Sequence, residues 1–397
     1  MAKKGKTSAK KEVMEEINVM AEAEEAVFEV EVEASVVDEI SEVEEVIEHG
    51  KYVAYIGSYT HGKAKGITIC DVDIEKGKLT KRGEAYINNP SYMVVSHSGK
   101  YLYSICDEGL TAFRILPDGT LDKINRVGIN GMRGCHVSLT KDDKFIFVAG
   151  YHDAKATVVS IKEDGGIGKV TDEVYDQGLG SVGERNFRAH ISCAVLTPDE
   201  KYLMVCDMGI DQVKAYRFDR SRGKIMLVDI LRCELESAPR TMVFSPDGQY
   251  AYLVCELKNY VSVYTYKDGG KGPEFELIDR VSAIEDRQSN TNATIAIKMT
   301  KDGKYIFVTS AGSNSLAIFK RRSSGRLRRL SVLPISGEFP KDFMLFPDEK
   351  HCVSVNHDSG QLTFFTINYE QGLIVMNGHP VDVEKGNCGV FVELKED

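Results

Sequence analysis

The 397-residue sequence has no apolar run of eighteen residues and no apolar core near its N-terminus of the kind a secretory signal requires, so a membrane span and export are not expected. It lacks Gly-x-Ser-x-Gly, His-Glu-x-x-His and a Walker loop, which removes the common serine-hydrolase, zinc-protease and nucleotide-binding signatures. Its nine cysteines are scattered singly with no Cys-x-x-Cys and no zinc spacing. Most fall in or beside apolar segments, where cysteine acts as a small hydrophobe, and the pattern is that of a reducing, cytoplasmic compartment. Basic excess is also missing. Residues 1–11 hold five lysines and no acid, residues 12–48 hold fifteen acids and no base, and residues 49–397 hold 45 of each sign. A neutral body argues against a nucleic-acid partner. Residues 1–48 read as a charged, disordered extension outside the fold.

What the sequence does have is a repeated phrase, a turn followed by an aromatic-rich strand. It reads His97-Ser98-Gly99-Lys100-Tyr101, Lys141-Asp142-Asp143-Lys144-Phe145, Pro198-Asp199-Glu200-Lys201-Tyr202, Pro246-Asp247-Gly248-Gln249-Tyr250, Lys301-Asp302-Gly303-Lys304-Tyr305 and Pro347-Asp348-Glu349-Lys350-His351. The fourth residues are spaced 44, 57, 48, 55 and 46 apart. Pairs such as Asp-Gly between apolar runs supply the positive φ of a hairpin turn. Each hairpin is followed by a third strand and by a fourth that starts at a Gly-x-Leu-like turn, as at Gly223-Lys224-Ile225. Four strands per period of roughly 50 residues predict an all-β propeller with four-stranded antiparallel blades. Six phrases give six blades. The segments at Tyr52 to Leu79 and Gly389 to Leu394 predict a seventh, shared by the two ends of the 49–397 domain, because an open ring would leave two raw edges.

In each blade the start of the first strand and the end of the second lie on one face near the axis, so the phrases can be stacked in register. Five positions before the residue that precedes the turn stand Ser91, Cys135, Ser192, Arg240, Ile295 and Lys341. Eleven after it stand Asp107, Tyr151, Met208, Glu256, Ala311 and His357, and His190 lies two before Ser192. Arg240, Glu256, Lys341, Asp107 and His357 are the polar exceptions. An arginine can polarise a carbonyl or hold an oxyanion, and a nearby histidine or glutamate can move a proton. Arg240 and Glu256 read equally well as a structural ion pair, His190 as a surface loop residue, and His357-Asp358 as a turn-capping pair. A channel calcium would find Asp107, Glu256 and Asn356, but Arg240 and Lys341 would oppose it, so neither metal nor cofactor is expected.

The chain resembles the seven-bladed propeller lactonases, the bacterial type of 6-phosphogluconolactonase grouped with the fungal carboxymuconate lactonising enzyme. The resemblance runs from Tyr52 to Leu394 and rests on Ile56-Gly57-Ser58-Tyr59-Thr60, Asn89-Pro90-Ser91-Tyr92, Asp207-Met208-Gly209-Ile210-Asp211, Ala238-Pro239-Arg240, Cys255-Glu256-Leu257, Gly337 to Phe343 and Val355-Asn356-His357-Asp358-Ser359. It implies metal-free hydrolysis of an anionic sugar-acid lactone, with His190, Arg240 and Glu256 as catalytic residues and Lys341 and Arg188 on the anionic end. Asp107 and His357 complete the expected substrate contacts. The chain departs from the family pattern at Thr241 (a histidine there), Ala311 (an arginine), Lys341 (an arginine) and Arg188. These departures keep two further expectations open: a hydrolase or cycloisomerase for a different lactone, and a non-catalytic propeller that binds a ligand or protein. Nothing in the sequence assigns an oligomeric state.

Overall fold

The computed structural model describes residues 51–183, 186–285 and 292–395. The expected N-terminal extension, residues 1–48, lies outside them. The described residues form seven antiparallel blades arranged as a β-propeller, plus one short hairpin, with no helix. The innermost strands are Met93–Val95, His136–Leu139, Ile191–Leu196, Pro239–Phe244, Ala293–Met299, Pro340–Leu345 and Gly386–Glu393. Each packs beside the next, and Gly386–Glu393 packs beside both Pro340–Leu345 and Met93–Val95, which closes the ring. Six blades are built of consecutive strands. The seventh takes its three outer strands from Tyr52–Ser58, Gly66–Asp73 and Lys78–Tyr86 and its innermost strand from Gly386–Glu393. Tyr52 pairs with Glu393 and Ile56 with Gly389 across that junction, as the edge argument requires.

The repeated turn folds for a local reason. Its third residue is left-handed in all six copies: Gly99, Asp143, Glu200, Gly248, Gly303 and Glu349, with φ between 54° and 74°. The hydroxyl before the turn bonds the aspartate two residues on and accepts the N–H that opens the next strand, as Thr197 does with Asp199 (2.6 Å) and Tyr202 (3.1 Å). Ser245 and Thr300 repeat the pattern with Asp247 and Asp302. Side-chain capping of this kind fixes the turn before any long-range contact forms.

The second strands then alternate into the spaces between blades, so each core cluster combines residues of two neighbours. Phe145, Phe147 and Val158 of one blade pack with Leu203, Val205 and Tyr216 of the next. The outermost strand of the blade that begins at Pro340 is broken into Leu373–Met376 and Val381–Asp382, both paired to Gln361–Asn368. The extra hairpin, Leu179–Gly183 with Asn186–Arg188, leads directly into the strand Ile191–Leu196.

Candidate active site

The register places Arg240 at the start of one innermost strand and Glu256 just past the end of its neighbour, Tyr250–Cys255. Their side chains form an ion pair from Arg240 Nη1 to Glu256 Oε2. Glu256 is 1% exposed, whereas Arg240 keeps 30% of its side-chain surface open. A buried carboxylate therefore anchors a guanidinium that still presents N–H groups outward; a guanidinium has five donors, and one carboxylate uses at most two.

His190 is buried. Its Nδ1 lies 2.9 Å from the Tyr151 carbonyl oxygen, and its ring stacks on the Tyr151 ring at 4.2 Å and 10°. A carbonyl can only accept, so Nδ1 carries the proton and Nε2 holds the lone pair. Desolvation pushes the imidazole pKa down, with the Arg188 charge as a smaller contributor, so the ring is neutral near pH 7. Tyr151 also lies within electrostatic range of Arg240. The backbone of His190 is tightly fixed. Its N–H donates to Asp207 Oδ1 at 2.8 Å, and Gly209 packs so close that a Cβ there would sit 1.7 Å from the Arg188 carbonyl oxygen.

A second group faces Tyr59, which follows the strand Tyr52–Ser58 of the closing blade. Lys341 Nζ lies over its ring at 4.3 Å and the Arg133 guanidinium at 4.8 Å. Arg133 donates to Asp107 Oδ1 at 2.7 Å, and Asn89 donates to the other Asp107 oxygen at 2.7 Å. Lys341 donates to Asn387 Oδ1 at 2.8 Å. Burial, with repulsion from Arg240 next, pulls the lysine down to about 8. His357 stands edge-on to Tyr59 at 5.6 Å with Nδ1 3.0 Å from the Gly386 carbonyl oxygen, so its Nε2 is the acceptor too.

Arg240, Lys341, Cys135, Ser192 and Asn387 line the top of the central shaft, a cavity of about 80 Å³. That is room for a few waters, far below the several hundred Å³ of an ordinary ligand pocket. A sugar-sized molecule does not fit inside it.

The structure thus pairs Arg240 with Glu256, stacks His190 on Tyr151, and gathers Lys341 and His357 around Tyr59. Asp107 is committed to Arg133 and Asn89. Arg188 is exposed on the extra hairpin, its guanidinium 5.8 Å from the Phe187 ring. Ala311 joins Ala293 and Ile295 in an apolar patch against Phe339, so no charged side chain stands at position 311. Sequence reasoning missed Arg133, Tyr151 and Tyr59 as site residues. Arg133 stands two before Cys135, the same offset that singled out His190 before Ser192, and that signal was present. It also missed the buried pair Asp176 and Asp207, which underlies the His190 backbone. Burial first, then the second carboxylate, pushes Asp207 up to about 7 against the lowering effect of the His190 N–H.

A family model described as "Lactonase, 7-bladed beta-propeller" matches residues 53–391. The 6-phosphogluconolactonase of Bacillus subtilis is 31% identical over 349 residues, covering 86% of this chain and 99% of the relative. A crystal structure of a putative 6-phosphogluconolactonase from Bacteroides fragilis matches with TM-score 0.80 at 27% identity, covering 86% of this chain and 98% of that one. A protein from Lactobacillus plantarum matches with TM-score 0.80 at 32% identity, covering 86% and 100%. On the strength of these matches and the closed seven-bladed ring, the chain belongs to the seven-bladed β-propeller lactonase family.

Proposed function

We propose that the chain hydrolyses a sugar-acid lactone, 6-phospho-glucono-1,5-lactone to 6-phosphogluconate, at the mouth formed around Arg240. The observation that carries this reading is the anchored but open guanidinium: its charge is held by buried Glu256 while its outer N–H groups face the site. Such a donor set stabilises charge that develops on a carbonyl oxygen. His190 Nε2 takes a proton from water as the water oxygen bonds to the lactone carbonyl carbon, and Arg240 holds the resulting oxyanion. When the tetrahedral intermediate collapses, the ring C–O bond breaks and His190 returns the proton to the departing alkoxide. The reaction consumes one water and needs no other reactant. Glu256, committed to the ion pair, orients Arg240, and neutral His190 serves as base first and acid second. The reading takes the substrate class from the named relatives and places it in a carbohydrate pathway of the cytoplasm.

The test is hydrolysis of freshly generated 6-phosphogluconolactone at a mildly acidic pH where spontaneous opening is slow. Wild-type protein is expected to accelerate it, and Arg240→Ala to lose about 100-fold or more, the cost of an oxyanion donor. No acceleration over buffer, or full activity in Arg240→Ala, would overturn the mechanism. A second reading, a different lactone, is favoured by the apolar patch of Ala293, Ile295, Ala311 and Phe339. A panel of unphosphorylated and carboxylated lactones separates the two.

A further inference from the structure

The three cations at the mouth are not equivalent. Arg240 is matched by Glu256, and Arg133 by Asp107. Lys341 meets only the neutral amide oxygen of Asn387, while the nearby Asp358 is bonded to Lys385 at 3.6 Å. Among the described residues no carboxylate lies within ion-pair distance of Lys341. Among these three cations of the described residues, Lys341 alone is unmatched. It and the Arg133 guanidinium both lie on the Tyr59 ring, within electrostatic range of each other, a costly arrangement unless something negative joins them. Desolvation first, then the repulsion of Arg240 and Arg133, weakens the lysine's hold on its proton, against the opposite pull of Cys388 and Asp358.

We propose that Arg133 and Lys341, gathered over Tyr59, form a subsite for an oxyanion substituent carried by the lactone at a carbon remote from its carbonyl. This rests on the lactonase reading above and deepens it: the same site has two ends. Arg240 serves the reacting carbonyl, and the Tyr59 group takes the charged tail. Asp107 is a positioning residue in this scheme. It receives Arg133 on one oxygen and Asn89 on the other, and Asn89 is in turn fixed by accepting from the Thr60 N–H at 2.9 Å. Arg133 thereby hangs from a braced loop with its face on the ring and N–H groups left over, as bidentate capture of a phosphate or carboxylate needs. Lys341 supplies a point charge. His357, neutral and edge-on to Tyr59, stands where an arriving anion would raise its pKa and recruit a further donor. Arg188, exposed on its hairpin, is not part of the subsite.

Binding of reaction products to the full chain tests this by calorimetry, with no turnover required. The probes are 6-phosphogluconate, glucarate and gluconate, which carry at the far end a phosphate, a carboxylate and a neutral hydroxyl. Arg133→Gln and Lys341→Met are expected each to weaken 6-phosphogluconate or glucarate, or both, by about tenfold or more, and gluconate by much less. Whichever of the two loses more identifies the source of the oxyanion. Thermal melts report folding; should Arg133→Gln fail to fold, Arg133→Lys, which keeps the Asp107 pair, is expected to give a smaller loss of the same selectivity. The proposal is overturned if neither charged probe binds the wild-type chain, if neither depends on Arg133 or Lys341, or if gluconate weakens by the same factor. Selective binding without any lactone hydrolysis would leave the subsite standing and remove the hydrolase reading instead.

Discussion

At the scale of single residues, the site is controlled by groups that do not touch the mouth. His190 owes its place to Asp207, whose Oδ1 accepts from both the His190 and Gly209 N–H groups at 2.8 and 2.9 Å. Asp207 in turn faces Asp176, which is bonded to Lys214 at 2.8 Å, so two carboxylates and one ammonium share a buried space. Two adjacent buried carboxylates cannot both ionise cheaply, and Asp207 holds its proton up to about pH 7. An unfolded aspartate loses its proton near pH 4, so between about 4 and 7 the folded chain binds more protons than the unfolded one. Stability from this group is therefore full at the acid end, falls as pH rises through that window and is gone above it. Asp207→Asn is expected to flatten this part of the pH dependence, on the order of 1–3 kcal/mol across the window, when denaturant melts are compared from acid to neutral pH. An unchanged slope in the variant would show that the pair does not share a proton.

At the scale of elements, the turn phrase does more than reverse the chain. Where its left-handed position is acidic rather than glycine, the carboxylate reaches the turn of the preceding blade. Asp143 accepts from His97 and Ser98 N–H groups, Glu200 from Lys141 N–H at 2.6 Å and Glu349 from Lys301 N–H at 2.7 Å. A non-glycine residue at φ 55° is disfavoured by about 1 kcal/mol, and the inter-blade bond offsets it. Glu349→Ala keeps the strained backbone and loses the bond, so it should cost about 1 kcal/mol, whereas Glu349→Gly loses the bond but relieves the strain and should cost less. Chemical denaturation of the two variants checks the order. The same phrase explains what could be read in the sequence. Period, turn chemistry and closure are local or edge properties, and Arg240 and Glu256 meet because in-blade register fixes them. Arg133 escaped because the loop position two before the strand entry carried weight only at His190 and not in the other blades. Asp176 and Asp207 come from different blades, a contact that in-blade register cannot show, and Tyr59 lies in the blade that has no complete phrase to align.

At the scale of the molecule, closure and site are one problem. The strand Gly386–Glu393 does not simply cover an edge: Asn387 receives Lys341, Gly386 receives His357, and the Gly389 N–H donates to Asp342 Oδ2 at 3.0 Å. Asp342 in turn pairs with Lys298 at 3.1 Å, which links the closing strand to the wall of the shaft. Space there is tight, since a Cβ at Gly389 would lie 2.2 Å from Met344 Sδ. Deleting residues 386–397 should therefore expose the edge of Tyr52–Ser58, release Lys341 and abolish cooperative unfolding, with aggregation visible by size-exclusion chromatography. That outcome alone would not separate closure from the loss of a few contacts. A circular permutant does. The Leu394 N–H donates to the Lys51 carbonyl oxygen at 2.8 Å, so the two ends of the propeller are adjacent and, with residues 1–50 left out, a short glycine-serine bridge can join residue 395 to residue 51. New ends opened in the turn at Ser323–Ser324 leave every strand intact. If the ring is held by pairing rather than by the order of synthesis, this permutant keeps a single cooperative transition and the ligand affinity of the parent chain, while the truncated chain keeps neither.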